Sequence, residues 1–147
     1  MMLSTKGKYG LKAVLDLAMH TEEGAIPLST IAERQNISMN YLEQIIPKLK
    51  KAGIVNSIRG AQGGYVLAKP ASEVSVGAIL RALEGNLDPV NCSELSGDKS
   101  CAGSDNCVTK FVWKRISDSI NNTVNQMWLS ELVEEGRKIK GKDNKKE

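Results

Sequence analysis

Between Pro27 and Ala68 the chain sets out a helix, a short turn, a second helix and a glycine-tipped hairpin in immediate succession, and few folds satisfy that order. Pro27-Leu28-Ser29 opens a short helix over Thr30 to Gln35, which Asn36 ends because asparagine tolerates a left-handed backbone. Ser38 caps a second helix from Met39 to Lys51, closed by Gly53. Small Ala32 falls where the helices must approach, Ile37 plugs the turn, and Pro47 is expected to kink or re-aim the second helix. Ile54 to Arg59 and Tyr65 to Ala68 then read as two strands around Gly60-Ala61-Gln62-Gly63-Gly64. Together these are a winged helix-turn-helix, whose glycines let the wing tip come close to a phosphate backbone. A nucleotide-phosphate loop is the competing reading of the glycines, but no strand–loop–helix with Gly-Lys-Ser/Thr is present.

The rest of the chain extends this unit. Ser4 or Thr5 caps a first helix with Leu11, Val14, Leu15, Ala18 and Met19 at helical spacing, ending near Glu22-Glu23-Gly24, with His20 a solvated or capping residue. Ser75 caps a helix from Val76 to Glu84, stopped by Gly85. A polar loop follows. From Val108 a helix of about twenty residues carries Val112, Ile116, Ile120, Val124 and Met127 on one stripe with Phe111, Trp113 and Trp128 beside it. So apolar a stripe exceeds what a small domain covers, and it is expected to pair with its copy in a homodimer. Leu129 to Ile139 reads as a last short helix. The expected fold class is mainly α with a small β-hairpin. Residues 1–85 form the winged helix-turn-helix, 86–107 a cysteine-containing loop, 108–139 the dimerisation helix and short C-terminal helix, and 140–147 a solvated tail.

Charge is unevenly spread under a net +3: residues 1–70 carry nine Lys/Arg against five Asp/Glu, 71–108 two against six, and 109–147 nine against six. A basic first half fits a polyanion, here double-stranded DNA. No basic start with an apolar run behind it, and no membrane-spanning apolar run, is found, so a cytoplasmic protein without a membrane partner is expected. In that reducing compartment three cysteines in one loop, Cys92, Cys101 and Cys107, point to metal or redox chemistry rather than disulfides. Eight and five intervening residues fit zinc poorly, since structural zinc uses close Cys-x-x-Cys pairs; three inert thiols are the remaining alternative. With no Ser/His/Asp, paired-acid or nucleotide-binding constellation and one isolated histidine, no enzyme and no small-molecule substrate are expected.

Leu3-Ser4-Thr5-Lys6-Gly7-Lys8-Tyr9-Gly10, Tyr41-Leu42-Glu43-Gln44, Arg59-Gly60-Ala61-Gln62-Gly63-Gly64-Tyr65 and Leu83-Glu84-Gly85 resemble the Rrf-type family of winged-helix transcriptional regulators over nearly the whole chain. The three cysteines resemble those of the family's iron-sulfur-sensing members. That likeness implies a homodimer with a 2Fe-2S cluster on each subunit, ligated by Cys92, Cys101 and Cys107, in a repressor of iron-sulfur cluster assembly genes. Those members carry a histidine ligand three residues after the third cysteine, where this chain has Lys110, which when protonated offers no lone pair. Glu94, Asp98, Asp105, His20, a partner residue or a small thiol are candidates for the fourth position.

On the DNA side, Asn40, Tyr41, Glu43 and Gln44 lie near the N-terminal end of the second helix of the motif, where such proteins read base edges. Gln44 can pair with adenine, and Glu43 can accept from cytosine while being repelled by acceptor-rich guanine edges. Arg59 and Gly60 at the wing suit a narrow minor groove. Lys6, Lys8, Lys48, Lys50 and Lys51 are prospective phosphate contacts. A cysteine-metabolism or nitric-oxide-responsive repressor of the same fold, and an iron-sulfur scaffold or electron carrier, are the competing functions.

Overall fold

The computed structural model describes residues 3–90 and 108–145, with side chains to 141. Among the described residues six α-helices and one hairpin follow in order: α1 (Thr5–Met19), α2 (Leu28–Gln35), α3 (Met39–Lys51), β1 (Val55–Ile58), β2 (Gly64–Leu67), α4 (Val76–Glu84), α5 (Lys110–Asn125) and α6 (Leu129–Lys145). Short 3-10 turns lie at Thr21–Glu23 and Ala71–Glu73.

The expected caps are in place. The Ser4, Ser38 and Ser75 hydroxyls accept from the backbone N–H of Lys6, Tyr41 and Ala78, satisfying donors that a helix leaves orphaned at its start. Asn36 ends α2 at φ 54°, ψ 50°. Helix α3 runs on through Pro47, which sits on its exposed side and removes one backbone donor without ending the helix.

Helix α1 is the hub. Ala13, Val14 and Leu17 are buried against Ile31 of α2, Leu42, Ile45, Ile46 and Leu49 of α3, Val55 of β1 and Ile79 and Leu83 of α4. Leu129 and Val133 of α6 belong to the same core. Gly10 allows the close approach of α4, because a Cβ there would overlap the Leu83 side chain. The strands pair antiparallel in the register Val55↔Leu67 to Ile58↔Gly64. Ile26 adds a bridge on the far side, its N–H donating to Tyr65 O at 3.0 Å and its carbonyl accepting from Tyr65 N at 2.8 Å.

The C-terminal part departs from expectation in three ways. Helix α5 is shorter, starting at Lys110 and ending at Asn125, so Met127 lies off the stripe. There the backbone turns extended to join α4: Val76 N–H donates to Met127 O and Leu129 N–H to Val74 O, both at 2.8 Å. The stripe is also divided, for Ile120 and Val124 pack inside the protomer against Val76, Leu80 and Leu87. Helix α6 runs past Ile139 to Lys145, so much of the expected tail is helical. No proline interrupts it, Gly141 costs only about 1 kcal/mol in a helix interior, and lysines suit the negative end of the helix dipole.

Candidate nucleic-acid interface

Helix α3 divides cleanly by face. Leu42, Ile45, Ile46 and Leu49 are buried, which turns Asn40, Glu43 and Gln44 outward to solvent. Asn40 and Gln44 are four residues apart and so share one face one turn apart. Tyr41 is different. It is half-buried, its ring meets that of Tyr9 edge-on at 5.6 Å, and its hydroxyl shares a 2.9 Å hydrogen bond with Thr5 Oγ1. That geometry makes Tyr41 an anchor between α3 and the first turn of α1 as much as a surface group.

At the other end of α3, Lys50 Nζ donates to Ser57 Oγ of β1 at 2.9 Å, linking the helix to the wing. Arg59 and Gly60 are exposed at the wing tip, with Gly60 at φ 112°, a conformation that suits glycine. Lys6, Lys8, Lys48, Lys50 and Lys51 are all exposed.

Two polar networks that sequence reasoning missed hold this surface. Asp16, 1% exposed, accepts from Arg34 Nε at 3.0 Å, Arg34 Nη2 at 2.7 Å and Gln35 Nε2 at 2.9 Å. The hydrogen bond from Arg34 to Asp16 holds the guanidinium pKa above its ordinary value against the opposing effect of burial. His20 Nδ1 lies 2.8 Å from the Asp16 carbonyl, so its ring belongs to this network, which fastens α1 to α2. The one signal available was an acid interrupting the apolar face of α1. In the second network Glu84 Oε1 accepts from the Ser4 hydroxyl, from Ser4 N–H at 3.0 Å and from Gly7 N–H at 2.8 Å. Burial pushes the Glu84 pKa up, but these hydrogen bonds prevail and hold it below the usual glutamate value. A carboxylate at the start of α1 also complements its dipole.

Cys92, Cys101 and Cys107, with Glu94, Asp98 and Asp105, lie outside the described residues. Among the described residues no group of three or more His, Cys, Asp or Glu is placed to hold a metal. Both flanks of the cysteine segment are tied together: Ser117 Oγ of α5 donates to Asp88 Oδ1 at 3.2 Å, and Arg81 of α4 donates to Asn121 of α5. Beyond that clamp, Val108 just before α5 (77%) and Phe111 (67%), Val112 (50%) and Ile116 (40%) in its first half are exposed. No helix among the described residues is long and apolar enough to cross a membrane.

Known proteins share this architecture. The family model Rrf2, described as an iron-dependent transcriptional regulator, matches residues 3–135. The HTH-type transcriptional regulator IscR of Serratia proteamaculans is 44% identical over 133 residues, covering 90% of this chain and 79% of that protein. The solved structure of T. potens IscR superposes with a TM-score of 0.74 at 41% identity, covering 92% of this chain and 88% of that one. CymR, the global cysteine regulator of B. subtilis, also superposes at 0.74, with 36% identity over 91% of this chain and 97% of that one. The winged helix-turn-helix, its outward-facing α3 and these likenesses agree: the chain belongs to the Rrf2 family of DNA-binding transcriptional regulators.

Proposed function

We propose that this regulator is a cytoplasmic homodimeric repressor whose DNA binding answers to a 2Fe-2S cluster on each subunit, controlling iron-sulfur cluster assembly genes. The observation that carries this reading is that all three cysteines of the chain fall in one segment between α4 and α5 of a DNA-binding fold. Residues 1–85 read the operator, 86–107 hold the cofactor and 108–139 carry the pairing surface. Cys92, Cys101 and Cys107 are the iron ligands, and thiolates are the donors such clusters use. The cluster supplies an occupancy that follows iron-sulfur supply. With an oxygen or nitrogen donor in place of a fourth thiolate, that occupancy is labile.

In this reading Asn40, Glu43 and Gln44 face base edges in the major groove, Tyr41 holds α3 at the angle they need, and Arg59 with Gly60 enters the minor groove. The exposed apolar half of α5 pairs with a second copy. The likeness to CymR favours a cysteine-responsive repressor as the second reading. It needs no cluster, and a cluster scaffold or electron carrier needs no operator.

Anaerobic purification with absorption and EPR spectra, followed by gel shifts of holo and apo protein on its own promoter, separates the three. Changing any one of Cys92, Cys101 or Cys107 to Ala is expected to abolish visible cluster absorption while the protein still folds and binds DNA with altered operator preference. Lys110→Ala is expected to leave the cluster in place. Full cluster retention in all three cysteine variants, or stoichiometric zinc in the anaerobic protein, would falsify the iron-sulfur reading.

A further inference from the structure

The outer edge of β2 is left open at one residue. Tyr65 commits its N–H and its carbonyl to Ile26, whereas Ala68 N–H donates to Ile54 O at 2.9 Å, on the β1 side. Backbone groups alternate between the two edges of a strand, so those of Leu67 point as those of Tyr65 do, away from β1. There the ladder has stopped. Antiparallel pairing would set Gly24 opposite Leu67, but Gly24 turns off at φ 76°, ψ −139° and donates its N–H to Thr21 O. Among the described residues no hydrogen bond reaches Leu67 on that edge.

The open edge lines a cavity of about 650 Å³ formed by β2, the end of α1, the connection to α4 and α6. That volume lies within the range of small-ligand sites, about 300–1,000 Å³. Buried Leu17, Ala18 and Val133 supply apolar lining. Glu134 and Arg137 line it from the same face of α6, and Lys69 from the segment after β2. All three are exposed, and among the described residues none of them is in an ion pair. Two cations against one carboxylate leave an excess of one positive charge, which one anionic group complements. Length is limited as well: Ile26 blocks the edge at Tyr65, and Pro70, without an N–H, ends it beyond Lys69. At about 3.3 Å per residue, two or three extended residues fit where a full strand does not.

We propose that this cavity at the root of the wing binds a short peptidic acid. An amide of the ligand pairs with Leu67 N–H and C=O, an apolar side chain lies against Leu17, Ala18 and Val133, and the carboxylate is held by Arg137 with Lys69. None of the lining residues belongs to the cysteine segment, so the site goes beyond the cluster reading and does not depend on it.

The test titrates full-length protein with N-acetyl-alanyl-leucine and with its carboxamide, which differs only in lacking the negative charge. Saturable binding of the acid is expected with a Kd on the order of 1 mM or tighter. Arg137→Gln, at an exposed position, is expected to keep the wild-type melting temperature and to weaken the acid about tenfold, to the level of the carboxamide, while leaving the carboxamide unchanged. Lys69→Gln is expected to act in the same sense and less. Amide hydrogen exchange followed by NMR locates the ligand: Leu67 N–H is expected to exchange fast in the free protein and about tenfold more slowly at saturation, with Tyr65 N–H slow in both. No saturable binding of the acid at millimolar concentration, equal weakening of acid and carboxamide by Arg137→Gln, or a Leu67 amide already protected in the free protein would overturn the site while leaving the DNA-binding regulator intact. Protein that binds the acid in this way but not its own promoter would support the site and overturn the regulator.

Discussion

Helices α3 and α5 are both amphipathic, yet they complete themselves differently. Every large apolar residue on the inner face of α3, from Leu42 to Leu49, is buried within its own chain, so its polar face is displayed by a finished core. Helix α5 finishes only half of itself. Ile120 and Val124 pack on α4, whereas Phe111, Val112 and Ile116 stand in solvent, as does Val108 just ahead of the helix. An exposed run of large apolar side chains on one helix marks a surface awaiting a partner. In the proposed function the polar face of α3 thus acts as a rigid reader, and the exposed half of α5 is the part completed by a second copy.

That contrast can be broken most forcefully at Arg34. Arg34→Met leaves the buried Asp16 carboxylate without its cation, and urea denaturation is expected to show a loss of about 3–5 kcal/mol. A loss under about 1 kcal/mol would mean that the reader does not depend on its internal ion pair. The second test compares two positions on α5. Phe111→Glu is expected to weaken self-association by two orders of magnitude or more, about 3 kcal/mol, in sedimentation, with little change in protomer melting. Ile120→Glu, by contrast, is expected to lower melting as well, because Ile120 packs on α4. Equal behaviour of the two variants would erase the division of the stripe.

Arg59→Ala should weaken operator binding by about 1–3 kcal/mol with cofactor and fold intact. Unchanged affinity at physiological salt removes Arg59 from the interface. The smallest effect is expected at Glu84. Its folded pKa lies below the ordinary glutamate value, so its stabilising contribution is complete above that ordinary value and lost as pH falls through the depressed one. Glu84→Gln should therefore flatten the acid limb of the stability profile, and an unchanged limb in a pH series of melting curves counts against the Ser4–Glu84 link.

The pattern of what could be read in advance follows from range. Helices α3 and α4 are bounded where Ser38, Ser75 and Gly85 place them, because caps act over three or four residues. Asp16 and Arg34 are eighteen residues apart and Ser4 and Glu84 eighty, and no local periodicity announces such pairs. The α5 stripe reads as continuous in sequence because hydrophobicity does not say which neighbour, α4 or a second copy, covers each turn. Asn40, Glu43, Gln44 and Arg59 were found as exposed positions; that Tyr41 would lean on Thr5 and Tyr9 depended on how α1 and α3 cross.

The bridge between Ile26 and Tyr65 has a consequence for the entropy of recognition. With Tyr65 held on one side by Ile26 and β2 held on the other by β1, and with Ala68 N–H donating to Ile54 O at 2.9 Å, the base of the wing is already ordered. Only Arg59 to Gly63 project beyond the ladder, and Gly63 N–H donating to Gly60 O at 3.0 Å closes a turn within them. Since fixing a free residue costs about 1–2 kcal/mol, the loss of chain freedom on meeting DNA falls on a few tip residues rather than on the whole hairpin.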